Sequence, residues 1–335
     1  METQDIIKLF EAFNDQNILI IGDVMIDAYL WGKVDRISPE APVPVVSLKK
    51  RESRLGGAAN VALNIQSMGA TPILCSVIGE DGKSREFFEL MKKQNLETSG
   101  LITSQNRITT TKFRVIGNNV QMLRVDEETE KSLLEQESAL LFEKIKSLVS
   151  RKKIGAVVFE DYDKGVITPV LIKDVVNLAK SQEIPVVVDP KKKNFMSYRD
   201  VNLFKPNLKE LKQGLKTDDE LEDTDSVVNA VQQIQQILNA DIAMATLSEK
   251  GICYSSKGSD GKHETGNIEA HIRDIADVSG AGDTVISILA LCMATGTSVK
   301  QMARLSNLAG GLVCEYVGVV PINKEQLLKE SLKTF

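Results

Sequence analysis

Six short apolar runs recur along the chain: NILIIGDV (17–24), TPILCSVIG (71–79), IGAVVFED (154–161), IPVVVDP (184–190), VNLFKPN (201–207) and DIAMATLS (241–248). Continuous runs of this length suit strands buried on both faces. Helical patterns lie between them: AANVALNIQSMG, KSREFFELMKKQN, ESALLFEKIKSLVS, TPVLIKDVVNLAKSQ and DSVVNAVQQIQQILN. That alternation predicts a doubly wound, mostly parallel α/β sheet. In such a sheet the ligand crevice lies at the carboxyl ends of the strands, which directs attention to Gly22 and Asp23, Gly79, Asp161, Asp189 and Pro190, Lys205 to Asn207, and Ser248.

Two segments break the rhythm. Residues 27–50, DAYLWGKVDRISPEAPVPVVSLKK, are rich in β-branched residues and prolines, while 108–125, ITTTKFRVIGNNVQMLRV, reads as a hairpin about Gly117, Asn118 and Asn119. Together they predict a small second sheet standing off the main one, used as a lid over the crevice, as a dimer contact, or as both. Residues 1–335 are expected to form one domain with this β lid.

Several function classes drop out. A net charge of -5, with basic runs that are short and scattered, gives no electrostatic footprint for nucleic acid. The amphipathic opening METQDIIKLFEAFNDQ is not a signal peptide, and no apolar run reaches the roughly 18 residues of a membrane span, so a cytoplasmic protein is expected. Cys75, Cys253, Cys292 and Cys314 lie far apart in apolar contexts, which fits reduced thiols rather than disulfides or a zinc site. With only His263 and His271, chemistry must come from carboxylates, lysines and backbone.

Two standard nucleotide motifs fail. GEDGKS (79–84) places two residues between its glycines where a P-loop needs four, and no G-x-G-x-x-G follows the first strand. DVSGAGDTV (277–285) is different. If a helix begins near Gly280, then Gly280, Ala281 and Gly282 can point their N–H groups into one anion-binding concavity. Asp283, in the first turn, could then accept a proton from a hydroxyl attacking a phosphoryl group. The other reading is a glycine-rich turn in which Asp283 caps the helix. In RLGGAANVALNIQSMGA (54–70), Gly56 and Gly57 open a helix whose Asn60 could aim an amide at a polyol, or whose small residues merely allow close packing. Asn207 and Glu210, three apart, either form a capping box or support a magnesium ion and its waters.

Taken together, GGAANVALNIQSMGA, NLKE and DVSGAGDTV resemble the paired signatures of the PfkB, or ribokinase-like, carbohydrate kinases. GDVMIDAYLWGKVDRISPEAPVPVV, TKFRVIGNNVQMLRVDEE, DYDKGV and VVVDPKKKNFMSYRDVNLFKPNLKEL are similar, over nearly the whole chain, to that family's heptose 7-phosphate kinases, the kinase half of bifunctional ADP-heptose synthases. The resemblance implies ATP-dependent phosphorylation, with Mg2+, of the anomeric hydroxyl of D-glycero-β-D-manno-heptose 7-phosphate, giving the 1,7-bisphosphate for ADP-heptose and lipopolysaccharide core synthesis. It implies Asp283 as the base, Gly280, Ala281 and Gly282 as the anion hole, and Asn207 and Glu210 near the triphosphate, Glu210 meeting the metal through water. Asp23, Asp27, Gly56, Gly57 and Asn60 then fall on the sugar side, and Ser248, Gly251 and Asn307 near the adenine. For the 7-phosphate, charge and placement offer Lys112, Arg114, Arg124 and Lys164, each of which could equally be a surface charge. A lid-mediated homodimer is implied too. No HxGH motif of the nucleotidyltransferase half occurs, so a free-standing kinase is expected, with a separate nucleotidyltransferase acting next. Two departures stand out: Ser279 replaces a Thr, and Asp189, Pro190, Lys191 and Lys192 replace DPKG. The alternatives are a kinase of the same family acting on another sugar and a non-catalytic nucleotide-binding partner of a nucleotidyltransferase.

Overall fold

The computed structural model describes residues 3–217, 221, 223–258, 263–271 and 275–335. Its strands are β1 (Asn17–Gly22), β2 (Val24–Ile37), β3 (Pro44–Gly57), β4 (Thr71–Gly79), β5 (Leu101–Ser104), β6 (Thr111–Gly117), β7 (Val120–Glu127), β8 (Ala156–Glu160), β9 (Val186–Asp189), β10 (Leu203–Phe204), β11 (Ile242–Thr246), β12 (Ile252–Lys257) and β13 (His263–Ile268). Its helices are α1 (Thr3–Ala12), α2 (Ala58–Ser67), α3 (Gly82–Lys93), α4 (Glu135–Arg151), α5 (Pro169–Ser181), α6 (Leu208–Leu215), α7 (Thr224–Leu238), α8 (Ala281–Ala294), α9 (Val299–Val313) and α10 (Lys324–Thr334).

The main sheet runs β13-β12-β11-β10-β9-β8-β1-β4-β5 and is parallel from β11 to β5, with β12 and β13 added antiparallel at one edge. All six apolar runs become strands of this sheet. The run at 201–207 gives the two-residue strand Leu203–Phe204, with single backbone bonds to the neighbouring strands on either side of it. β5 and β13 escape the apolar-run criterion because they are short or polar edge strands, and β12, ICYSSK, because half of it is polar. The helices cover both faces. Ala58, Ile65, Ile286, Leu289 and Leu305 pack in one core, and Leu141, Ile145, Ile172, Val175 and Ile234 in the other. Buried all round from Asp283 to Cys292, α8 accounts for the long apolar run near the C-terminus.

The second sheet, β3-β2-β6-β7, stands off the first. It starts at Val24 and Thr111, so it includes most of both segments expected to form it. Asn118 and Asn119 take φ of 52° and 63°, as a two-residue hairpin turn of type I′ requires. The bases of β2 and β3 are buried and their far halves exposed, which fits a flap hinged on the body.

The amphipathic opening forms α1, with Ile6 and Phe10 buried; Met1 and Glu2 lie outside the described residues. Cys75, Cys253 and Cys292 are buried free thiols and Cys314 is half-buried and free. Among the described residues no helix is long and apolar enough to cross a membrane.

Candidate active site

The carboxyl ends of β8, β9 and β10 and the start of α8 enclose a cleft of about 640 Å³, of a size that holds a nucleotide-sized ligand. α8 begins without a side-chain cap. Gly280 precedes it at φ 81°, a left-handed conformation that side chains resist. A Cβ there would also sit 3.1 Å from Asn60 Nδ2. Three residues on, the Asp283 carboxylate turns away from the helix end rather than capping it. Asn60 Nδ2, from the first turn of α2, donates to Asp283 Oδ2 at 2.7 Å, and the Tyr162 hydroxyl donates to Oδ1 at 2.7 Å. Burial pushes the Asp283 carboxyl up to about 6; the two hydrogen bonds oppose the shift, and the charges of Asp189 and Asp27 add to it.

Below Asp283 the strand ends supply a buried charge cluster. Glu160, ending β8, is raised well above the usual carboxylate range, first by burial and then by Asp189 and Asp283, while Lys191 and Lys205 pull it down. Glu160 Oε2 has no hydrogen-bond partner. Lys205 Nζ lies 2.8 Å from Asp189 Oδ2, a pair removed from water on both sides. Burial works against the Lys191 charge, yet Asp189 and Glu210 outweigh it and hold the ammonium above its usual range.

The Asn207–Glu210 pair makes the capping box. Asn207 Oδ1 accepts from Glu210 N at 2.9 Å, and Glu210 Oε2 accepts from Asn207 N at 2.8 Å. Glu210 Oε1 pairs with Lys191. With both oxygens engaged, Glu210 would have to share them to hold a magnesium ion, directly or through its water. Among the described residues no three His, Cys, Asp or Glu gather to hold a metal alone. Magnesium, which keeps several waters and takes phosphate oxygens, does not require such a cage.

The residues expected on the sugar side have partners within the protein. Asp23 turns its carboxylate to the loop after β8, where Oδ2 accepts from Tyr162 N at 2.9 Å and Lys164 N at 3.0 Å and Oδ1 from Val166 N at 3.0 Å. Burial and Asp161 still raise its carboxyl to about 6. Asp27 pairs with Arg114. Asn60 aims its amide at Asp283 rather than into open space. Gly56 and Gly57 end β3 instead of opening a helix, and only Gly57 caps α2. A Cβ on Gly56 would meet the Asp27 carboxylate of the paired strand β2, and one on Gly57 would meet the Asp23 carbonyl just after β1, so Gly56 serves close approach within the second sheet and Gly57 its approach to the main sheet.

Each of the four candidate phosphate cations has a carboxylate partner. Lys112 Nζ lies 3.8 Å from Glu128, Arg114 pairs with Asp27, Arg124 Nε lies 3.0 Å from Asp126, and Lys164 Nζ lies 2.8 Å from Glu128 and 3.3 Å from Glu130. A phosphate would have to compete with these carboxylates. At the other end of the cleft, Ser248, Gly251 and Asn307 line the wall beside the exposed Ile275 and Val278. Asn307 Nδ2 donates to Glu269 O at 2.8 Å.

Sequence reasoning passes over Tyr162, Glu160 and Lys191 as site residues. The available signal is their position at or just past strand ends, and Tyr162 stands inside the quoted DYDKGV.

Comparison with known proteins matches residues 15–326 to the pfkB family carbohydrate kinases. "Bifunctional protein HldE" of Aliarcobacter butzleri (strain RM4018) is 37% identical over 90% of this chain and 61% of its own length. The protein of that name from Desulfatibacillum aliphaticivorans is 37% identical over 98% of this chain and 65% of its own. The chain thus spans less than two thirds of these relatives. Among solved structures, phosphofructokinase-2 from Escherichia coli in complex with potassium superposes with a TM-score of 0.77 at 18% identity, covering 95% of this chain and 99% of that one. Arabidopsis thaliana ribokinase complexed with ribose and ATP gives 0.68 at 17% identity, covering 94% of this chain and 98% of that one. Both share the fold. With the family matched along nearly its whole length, the chain belongs to the pfkB family of carbohydrate kinases and is an ATP-dependent sugar kinase.

Proposed function

We propose that the protein transfers the γ-phosphoryl group of ATP to the anomeric hydroxyl of D-glycero-β-D-manno-heptose 7-phosphate, giving heptose 1,7-bisphosphate on the route to ADP-heptose and lipopolysaccharide core. The observation that carries the chemistry is Asp283, buried beside the uncapped start of α8 and fixed through both carboxylate oxygens. The choice of sugar rests on identities of 33–37% to proteins named HldE.

The acceptor hydroxyl gives its proton to Asp283 as its oxygen bonds to the γ-phosphorus and the bridge to ADP breaks. Backbone N–H groups of Gly280 and Gly282, with that of Ala281 shifted from Val278 O, to which it donates at 3.3 Å, take up the charge that develops on the phosphoryl oxygens. Magnesium, when bound, would neutralise triphosphate charge, with Glu210 holding it through water. Ser248, Gly251 and Asn307 would face the adenine. The sugar's 7-phosphate would draw on Lys112, Arg114, Arg124 or Lys164, displacing their carboxylate partners. Exposed Val120, Leu123 and Val125 on β7 support a homodimer joined through the lid. The product would pass to a nucleotidyltransferase, a cytoplasmic step.

The test is ADP production from Mg-ATP with the heptose 7-phosphate, beside fructose 6-phosphate, ribose and a no-sugar control. A strong preference for the heptose is expected. Preference for another sugar would overturn the substrate but keep the kinase, and silence on all would favour a non-catalytic nucleotide-binding role. In Arg114→Ala and Arg124→Ala, the Michaelis constant for the sugar phosphate should rise; unchanged values in both would remove the hairpin arginines from the 7-phosphate site.

A further inference from the structure

Asp283 needs more than proximity to a sugar hydroxyl. A carboxylate free to rotate would present its lone pairs to the acceptor only part of the time, and one buried among acids would hold a proton. Three elements press acids toward it: Asp27 from β2, Glu160 from the end of β8 and Asp189 from the end of β9. Lys191 and Lys205 face the same cluster. Of the two groups that donate to Asp283, Asn60 belongs to a packed helix, whereas Tyr162 reaches across from the loop after β8.

That loop is held by another buried carboxylate. Asp23 accepts the backbone N–H groups of Tyr162, Lys164 and Val166, so the ring of Tyr162 is anchored at its own backbone. The Lys191 ammonium lies 5.4 Å from the ring centroid, on its face. Burial, with Asp283 and Glu160 nearby, pushes the phenol well above its usual range, so Tyr162 stays protonated and can only donate to the carboxylate.

Resting on the reading of Asp283 as the base, we propose that Tyr162 is a positioning residue for it: the hydroxyl pins Oδ1, favours the ionised carboxylate, and leaves the remaining lone pairs turned to the cleft for the acceptor hydroxyl. Asp23 acts one step further back by holding the loop that carries Tyr162. This gives Asp23, whose carboxylate is turned to that loop, a part in the same machinery.

Tyr162→Phe keeps the ring and removes only the donor. It should be compared with the parent and with Asp283→Asn, using Mg-ATP and the best acceptor of the sugar panel. The expected result for Tyr162→Phe is a kcat about tenfold lower, with the Michaelis constant for ATP within about twofold, since the hydroxyl acts on the base and not on the nucleotide. The acid limb of kcat/KM should move up by about one pH unit, because a hydrogen bond to the charged form is lost. Damage remote from Asp283 would lower the rate without moving that limb. 4-Aminophenylalanine at 162 restores an N–H donor on the same ring and should recover part of the rate; it also decides the matter should the phenylalanine variant fold poorly. If Asp283→Asn abolishes turnover while Tyr162→Phe matches the parent in kcat and acid limb, the role of Tyr162 is overturned alone. If Asp283→Asn keeps turnover, the base assignment falls and Tyr162's role with it.

Discussion

Two helices point their N-termini at the same cleft and treat them in opposite ways. α6 is closed: Asn207 and Glu210 satisfy each other's backbone N–H groups, and Lys191 takes the remaining Glu210 oxygen. α8 is open. Gly280 offers no side chain, and Asp283 directs its carboxylate sideways to Asn60 and Tyr162. First-turn N–H groups left without a side-chain partner attract an anion, and the helix dipole adds to the attraction. On the proposed reading, a closed end serves the fold, whereas an open end beside a poised carboxylate serves the reaction.

The contrast can be broken by substitution, and the largest effect should fall on α8. Asp283→Asn keeps the shape and removes proton acceptance, so turnover should drop by roughly 10² to 10⁴ while ATP binding, followed by calorimetry, is largely retained. Next in size is pH. With Asp283 raised from 3.8 to about 6, the base is protonated on the acid side, and kcat/KM should fall about tenfold per unit as pH drops below about 6. For stability the sign is opposite: a raised carboxyl contributes fully below 3.8, and that contribution is lost as pH climbs through about 6. Ionising the base therefore costs folding stability at neutral pH.

At α6 the effects should be smaller and of another kind. Glu210→Gln can still cap the helix but loses the ion pair with Lys191, so its melting temperature should fall modestly. The Mg2+ concentration for half-maximal rate should rise several-fold, and an unchanged Mg2+ requirement would detach Glu210 from the metal. Asn207→Ala should cost about 1 kcal/mol in denaturant unfolding through the lost cap. A loss of turnover there as large as that of Asp283→Asn would erase the distinction between the two ends.

The main sheet was legible because β1, β4, β8, β9 and β11 are covered on both faces, which forces continuous apolar runs. β13 is largely exposed and reads HETGNI, so no such run betrays it. The second sheet announced itself through Asn118 and Asn119, residues that tolerate the turn. Local spacing singled out Asp283 as the proposed base and offered both readings of Asn207 and Glu210, of which capping is present. What could not be read were the partners. Asn60 and Tyr162 lie 223 and 121 residues from Asp283, and only the packing of α2 and the β8 loop against α8 brings them together. The same holds for Arg114, whose partner Asp27 lies on the neighbouring strand 87 residues away.

The most direct measurement is a crystal structure with ADP, magnesium, aluminium fluoride and the preferred sugar. The account predicts the metal fluoride within hydrogen-bond reach of the backbone N–H groups at the start of α8, with the acceptor hydroxyl on Asp283. A metal fluoride seated against α6, or an Asp283 turned away from the acceptor, would contradict it.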